Sequence, residues 1–196
     1  MIKKSKSAQV IAKAPKDKDF PELKTLSHKE IYNLIAKFIR KAIPVKGVKL
    51  SIIHDSQNRA SSPKSPYIVL QITDQKRLSS SETRYTDQYK IMWCRSQVSV
   101  HISFVGSQTI PALQMAYAFD VRFNDAWASE QFEQYSDILF PLYSDDINSE
   151  GQIINSEDQY DDACSINAYF EYHPELGVCA NSAKEIVMDM DAAELL

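Results

Sequence analysis

The clearest hydrophobic pattern in the chain predicts a helix that begins at Ser27. Ser27 and Glu30 form an S-x-x-E capping box, which satisfies backbone donors at a helix N-terminus. The apolar residues that follow recur every three or four positions and predict one buried stripe; they are Ile31, Leu34, Ile35, Phe38, Ile39 and Ala42. Pro44 cannot continue a helix, so we expect the helix to end just before it.

Alternating patterns predict a series of strands after this helix. We expect a strand over 48–53 and a second over 67–73, whose continuous apolar run predicts burial on both faces. Residues 74–88 are polar and predict a long exposed hairpin or loop. Residues 89–105 are the longest strand pattern, and strict alternation over its second half predicts an antiparallel strand with one polar face. Gly106 is expected to end it.

Two more helices and four more strands are expected in the second half of the chain. Thr109 is the expected N-cap of the first helix, with Pro111 in its first turn, and the second runs over about 125–135. The expected strands are 139–143, 152–155, 163–172 and 184–190, with turns at 144–151 and 174–177. Helices and strands cluster rather than alternate along the chain. This order favours an α+β fold: a mostly antiparallel sheet with the N-terminal helix and the two central helices packed on it.

A length of 196 residues predicts about one domain. We expect a separate segment at each end of this domain. Residues 1–24 carry seven lysines and no sustained hydrophobic period, which predicts a basic extended arm. Such an arm is disordered or becomes ordered only against a partner. Residues 25–190 are the expected domain, and 191–196 a loose C-terminal tail.

The acidic residues are concentrated in the second half of the chain. Residues 125–196 hold 17 Asp and Glu and a single basic residue, Lys184. An acidic surface does not recruit nucleic acid; it repels DNA or docks a basic protein surface. Solubility alone is the simpler explanation of the same charge, and both interpretations stay open.

Few residues are arranged as an enzyme or a cofactor site requires. The four glycines stand alone, so no phosphate-binding loop is present, and the three cysteines form no C-x-x-C pair. Paired carboxylates in 155–162 lack the spacing of a calcium loop, which favours a solvated acidic loop over a metal site. No apolar run approaches the ~18 residues of a spanning helix, and no secretory signal is recognisable. We therefore expect no enzyme activity, no cofactor and no membrane partner.

Aromatic and basic residues alternate between positions 84 and 95. Tyr85, Tyr89 and Trp93 recur at four-residue spacing among arginines and a lysine, a pattern that can stack on nucleic acid. On one strand Tyr89 and Trp93 share a face, so packing in a core or an interface is the simpler interpretation.

Three segments taken together resemble the neck and tail terminator proteins of long-tailed bacteriophages. After the capped helix and its strand comes an N-x-x-x-x-P-x-x-P-Y segment, here Asn58, Pro63, Pro66 and Tyr67, which opens a buried strand. The strand from Gln97 to Gly106 follows, then two helices and a late strand over 163–172. The resemblance covers about residues 27–190 and does not include the basic arm or the acidic stretch 144–162.

The resemblance implies a structural protein of the virion, located at the junction of neck and tail after folding in the host cytoplasm. Such proteins are α+β subunits that assemble into a ring, typically a hexamer, on the last ring of tail-tube protein. They stop growth of the tube and present a surface to the head-side neck connector, while viral DNA passes through the lumen without specific binding. A generic α+β interaction module and a nucleic-acid-binding module that uses the basic arm are the alternatives.

Three regions are candidates for contacts with these partners, because loops and arms on a rigid scaffold carry such contacts more often than core strands. They are the arm, the loop 76–90 and the acidic segment 144–162. The candidate residues are Lys3, Lys4, Lys6, Arg77, Arg84, Asp145, Asp146, Glu157, Asp158, Asp161 and Asp162. The polar face of 97–105 is a further candidate, for a lumen wall or a subunit seam.

Overall fold

The structure is a computed structural model that describes residues 24–45, 50–55, 63–86, 89–154 and 160–179. Within these residues the chain forms three helices and nine strands in an α+β arrangement. The helices are α1 (His28–Ala42), α2 (Ala112–Phe123) and α3 (Ala126–Glu133). The strands are β1 (Ser51–His54), β2 (Tyr67–Arg77), β3 (Glu82–Tyr85), β4 (Tyr89–Trp93), β5 (Ser96–Val105), β6 (Leu139–Ser144), β7 (Asn148–Ile154), β8 (Tyr160–Tyr172) and β9 (Glu175–Cys179).

The main sheet has six strands and is antiparallel except at one edge. Its order is β1-β2-β5-β8, and only β1 and β2 run parallel. The outer edge of β8 is shared, because β7 pairs with its N-terminal half and β6 with its C-terminal half. A mostly antiparallel sheet with three helices confirms the predicted fold class.

All three helices contribute to one hydrophobic core on a single face of the main sheet. The inward residues of β5 and β8 alternate as predicted, and each of those on β8 is buried: Cys164, Ile166, Ala168, Phe170 and Tyr172. Phe38 of α1 is fully buried and contacts four aromatic rings of α2 and α3 at centroid distances of 5.4–6.0 Å; they are Phe119, Phe123, Trp127 and Phe132. This aromatic cluster joins the helix layer into one unit.

The predicted capping box of α1 is confirmed. The Glu30 backbone N–H donates to the Ser27 hydroxyl, and the Glu30 carboxylate accepts from the Ser27 backbone N–H. The hydrogen bonds to Ser27 lower the pKa of the Glu30 carboxyl. The helix ends at Ala42, two residues before Pro44 as the sequence requires.

A second sheet of three strands, in the order β3-β4-β9, lies beyond one end of the main sheet. The chain enters it after β2 and returns to the main sheet at Cys94 and Arg95, between β4 and β5. The single long strand predicted over 89–105 was therefore wrong, because it is two strands in different sheets. Of the two alternatives for the polar stretch 74–88, the exposed hairpin is nearer to the structure, because β3 pairs with β4 after β2 has continued to Arg77.

Other local predictions were wrong where distant contacts decide the structure. Thr109 does not cap α2; Pro111 occupies the N-cap position and the Asp162 carboxylate accepts from the Ala112 N–H. The turn assigned to 174–177 is strand β9, which pairs with β4, and β7 begins four residues before the expected strand at 152. On β2 only one face is fully buried, at Ile68 and Leu70. The strand expected at 184–190 and the tail 191–196 lie outside the described residues.

Candidate assembly surfaces

The outward face of α2 carries a row of three large apolar residues, which we call the α2 stripe. Leu113, Tyr117 and Val121 follow one another at four-residue spacing and are 44%, 56% and 68% exposed. The opposite side of the helix is buried in the core through Met115 and Phe119 among others. A contiguous exposed apolar surface of this kind marks a protein interaction site more often than scattered single residues do.

A groove runs beside the α2 stripe, between α2 and the C-terminal end of α1. Its lining includes Ile43, Val45, Ile110, Gln114, Ala118 and Arg122. The Arg122 guanidinium donates to the Ala42 carbonyl at 2.7 Å and thus satisfies an acceptor at the end of α1. This hydrogen bond fixes the two helices that form the walls of the groove.

A second exposed apolar surface, the small-sheet patch, lies on one face of the β3-β4-β9 sheet. It consists of Tyr85, Met92 and Leu176, which the strand registers place on the same face. Tyr85 is 71% exposed and Leu176 is 45% exposed. The patch shares no residue or element with the α2 stripe.

The two arginines predicted as partner contacts stabilise the small sheet within the chain. Arg77 donates from Nε to the Ser79 carbonyl and from Nη2 to the Ser81 hydroxyl, which holds the connection from β2 to β3. Arg84 reaches across β4 and pairs with Glu175 of β9 at 2.8 Å. Both side chains are exposed, so these contacts leave part of each guanidinium accessible.

Four of the acidic candidates lie along β8: Asp161 and Asp162 near its start, and Asp145 and Asp146 beside its middle, in the connection from β6 to β7. Asp145 accepts from the Tyr169 hydroxyl at 2.7 Å, and this hydrogen bond raises the pKa of Tyr169 to about 12. Asp162 caps α2, Asp161 is buried, and Asp146 is exposed. These carboxylates are therefore not equivalent, and only Asp146 is a simple surface charge. The structure does not bring them next to the two arginines.

The remaining candidates lie outside the described residues. These are Lys3, Lys4 and Lys6 of the arm, and Glu157 and Asp158 of the acidic segment. They stay predictions, as does the division of the chain into arm, domain and tail.

The helix-free face of the main sheet is polar, as the alternation in 97–105 predicted. His101 of β5 contacts Asn167 of β8 through Nδ1 and Oδ1 at 2.9 Å, and its Nε2 lies 3.7 Å from the Glu150 carboxylate. The rings of Tyr143 and Tyr169 pack against each other on the same face, with centroids 4.7 Å apart and planes tilted by 30°. His101 is thus engaged with β7 and β8, while Cys94 lies beside Ser96, so the two do not form a catalytic pair.

The aromatic residues around β4 divide between the two faces of the small sheet. Tyr89 and Trp93 share one face, as expected for residues four apart on a strand, whereas Tyr85 lies on the other. Trp93 packs against His173, which also contacts Phe140 of the main sheet, each at a centroid distance of 5.1 Å. Trp93 therefore helps to join the two sheets.

The α2 stripe was missed in the sequence. The sequence of α2 does contain an indication of this stripe. The helix is apolar around most of its circumference, so one buried face does not account for all of its apolar residues. An amphipathic helix packed on one core needs only the buried row at 112, 115, 116, 119 and 123. The additional row at 113, 117 and 121 was the available sign of a second contact.

Neither a metal site nor a membrane helix occurs in the part of the chain that the structure describes. Those residues contain no group of three or more His, Cys, Asp or Glu side chains placed to hold a metal ion. Nor does any helix among them have the length and apolar character needed to cross a membrane.

The comparison with protein families is decisive. Residues 29–193 match the family described as phage neck terminator protein. The chain belongs to the phage neck terminator family. The match confirms the resemblance and starts within α1, so it includes every helix and strand of both sheets. No curated protein matches the chain. Members of this family are structural components of a bacteriophage neck or tail.

Proposed function

We propose that this neck terminator protein assembles into a ring, most simply a hexamer, that caps the tail tube and joins it to the head-side neck connector. Viral DNA passes through the lumen of the ring, and the protein performs no reaction. The observation that supports the ring is the pair of exposed apolar surfaces on separate elements, the α2 stripe and the small-sheet patch.

A closed ring larger than a dimer requires two different surfaces on each subunit. In such a heterologous contact, one surface of each copy meets a different surface of the next copy. A chain with one apolar surface can pair that surface with its equal on a second copy, which gives a two-fold dimer. A chain with two different surfaces can bind one neighbour on each side, so that successive copies can close into a ring. We assign the α2 stripe of one copy and the small-sheet patch of its neighbour to the two sides of the seam.

The charge distribution supports a lumen that does not hold DNA. No Lys or Arg occurs between residues 125 and 183, the part of the chain that contains β6, β7 and β8. A wall built from this region repels phosphate and lets DNA slide, since attraction would retain it. We propose that exposed carboxylates such as Asp146 face the lumen or the neck connector.

The basic residues suit contacts with acidic protein surfaces of the tube or of an adjacent subunit. Lys3, Lys4 and Lys6 of the arm, together with Arg77 and Arg84, are the proposed contacts. In this arrangement the domain at 25–190 forms the body of the ring, and the arm at 1–24 reaches beyond it.

Electron microscopy of the purified protein, alone and mixed with its tail-tube protein, tests the proposal. Closed rings, or caps at the ends of tubes in the mixture, are the expected result, and class averages give the symmetry. Monomers that leave tubes uncapped and growing would contradict it. In that case binding to DNA at several salt concentrations tests the alternative, because binding through the arm weakens steeply with salt.

A further inference from the structure

The groove between α1 and α2 has mostly apolar walls and a cationic group, Arg122. Its volume of about 370 Å³ is large enough to admit an aromatic side chain. The Arg122 guanidinium donates from Nη1 to the carbonyls of Ala42 and Ala118, at 2.7 and 3.2 Å. Its Nε and Nη2 have no hydrogen-bond partner among the residues that the structure describes. The groove therefore suits a side chain that combines a large apolar body with a hydrogen-bond acceptor.

Tyr85 of the small-sheet patch is a side chain of this kind. It is 71% exposed, more than any other large apolar residue in the described part of the chain. Its hydroxyl has no hydrogen-bond partner in that part of the chain either. A tyrosine ring can stack on the plane of a guanidinium group, and its hydroxyl oxygen can accept a hydrogen bond from that group. Leu176, the second strongly exposed residue of the patch, offers no acceptor.

Tyr85 and the groove lie at opposite ends of the subunit. The small sheet joins the main sheet at the start of β5, whereas Ile110 of the groove follows the end of β5 by five positions. The ten residues of β5 span about 33 Å. α1 gives the same order, because Lys24 before it bridges to Glu175 of the small sheet and Ile43 after it lines the groove. A subunit therefore cannot place Tyr85 in its own groove, and the contact requires a second copy that meets it head to tail.

We propose that Tyr85 of one copy inserts into the groove of the next copy, where its ring lies against Arg122. This inference rests on the seam of the proposed ring and identifies the residue that anchors it. Residues 113, 117 and 121 of the α2 stripe and residues 114, 118 and 122 of the groove form neighbouring rows on α2, about 5–6 Å apart. Tyr85 and Met92 lie on neighbouring strands, which are about 5 Å apart. Tyr85 can therefore enter the groove while Met92 covers the α2 stripe.

The charges beside the two surfaces are complementary. Lys90 is directly opposite Tyr85 in the strand register, so it lies on the same face of the small sheet. Its ammonium has no ion-pair partner among the described residues. Asp125 and Glu130 lie just beyond the C-terminal end of α2, and both are exposed. Contact between the patch and α2 brings Lys90 towards these carboxylates, whereas contact between two patches brings two lysines together. The charges therefore favour the head-to-tail contact over a two-fold one.

Photocrosslinking in assembled rings tests the contact. Replacement of Tyr85 by p-azidophenylalanine keeps an aromatic ring at this position and makes it photoreactive. On illumination we expect a crosslinked dimer in which mass spectrometry finds position 85 joined to residues 109–122 of another subunit. The same replacement at Tyr143, which is 48% exposed on the main sheet, is the control and should not label that segment. Rings in which position 85 labels other residues, or none, would overturn this inference and leave the ring itself standing. Absence of rings from the unsubstituted protein would overturn both.

A mutant cycle across the seam measures the same contact without a label. Tyr85→Ala removes the aromatic anchor and should raise the subunit concentration needed for ring assembly about thirtyfold, the effect of a central hot-spot residue. Ala118→Leu reduces the space in the groove and should also weaken assembly. If the two side chains meet, Ala118→Leu has a much smaller effect in the Tyr85→Ala background, because nothing then has to enter the groove. Tyr143→Ala is the control and should leave assembly unchanged. An equal effect of Ala118→Leu in both backgrounds would overturn the contact.

Discussion

The carboxylate of Asp162 on β8 accepts a hydrogen bond from the backbone N–H of Ala112 at 2.6 Å and so caps the N-terminus of α2. The two residues are 50 positions apart, and α2 has no side-chain cap of its own because Pro111 occupies the N-cap position. A carboxylate at this point satisfies an otherwise unpaired donor and interacts favourably with the helix dipole. The contact joins the helix layer to the sheet.

Replacement of Asp162 should therefore lower the stability of the fold. We expect Asp162→Ala to reduce the free energy of unfolding by about 1 kcal/mol, the usual effect of removing a cap. Asp162→Asn should retain most of it, because an amide oxygen also accepts the hydrogen bond. Asp146→Ala, which removes an exposed charge from the connection between β6 and β7, is the control. Chemical denaturation measures all three, and equal losses for Asp162→Ala and Asp146→Ala would contradict the capping role.

Gly106 is the residue that allows this cap to form. Its N–H donates to the Asp162 carbonyl at 2.9 Å, and a Cβ added at Gly106 would collide with the Ala112 backbone nitrogen and the Asp162 side chain. Backbone cannot shift cheaply, so Gly106→Ala should destabilise the protein by about 1–3 kcal/mol. Gln108→Ala, at an exposed position of the same loop, should have little effect. A thermal melt of Gly106→Ala that matches the unsubstituted protein would contradict this account.

The sequence predicts the local features of this fold, but not the features that depend on long-range contacts such as the one between Asp162 and Ala112. The capping box of α1, its apolar stripe and the alternation of β8 are local patterns, and each was predicted. The cap of α2 was assigned to Thr109 because a local pattern contains no information about Asp162. The sequence predicts a single strand over 89–105, because the chain passes from one sheet to the other at Cys94 without a Gly or Pro that would indicate a break. The α2 stripe is not predicted for a related reason. In sequence, a helix that is apolar on two sides has the same pattern as a helix that is buried on both sides.

The hydroxyl of Tyr169 should titrate unusually late. Its hydrogen bond to Asp145 is the main cause of a pKa of about 12, with burial second. Because the folded state holds this proton more tightly than the unfolded chain, the contribution to stability is complete below the ordinary pKa near 10. It is lost as the pH rises towards 12. NMR of ring-labelled tyrosine should show the pKa of Tyr169 falling in part in Asp145→Asn and nearly to its ordinary value in Asp145→Ala. An unchanged titration in both variants would contradict the role of Asp145.

The aromatic cluster around Phe38 should dominate the stability of the helix layer. Phe38 is fully buried among rings of α2 and α3, so Phe38→Ala leaves a cavity between three helices. We expect a loss of about 3–5 kcal/mol in the free energy of unfolding. Phe140→Ala is a useful comparison, because Phe140 is only partly buried and should cost less. Similar losses for the two variants would indicate that the cluster is not the centre of the core.

The assignment of the seam predicts the behaviour of two variants when they are mixed. Val121→Asp places a charge in the α2 stripe and Leu176→Asp places one in the small-sheet patch. Both positions are exposed, so the fold should be little affected and each protein alone should fail to form rings. Mixed together, each variant still contributes one intact side, and an intact stripe can meet an intact patch only once. The expected product is a discrete heterodimer, visible by sedimentation or native mass spectrometry.

Ser129→Asp, which adds the same charge to the exposed side of α3, is the control and should still form rings. A heterodimer is possible only if the two surfaces meet each other across the seam. If each variant still forms closed rings alone, or if the mixture stays monomeric, the α2 stripe and the small-sheet patch are not the two sides of one contact.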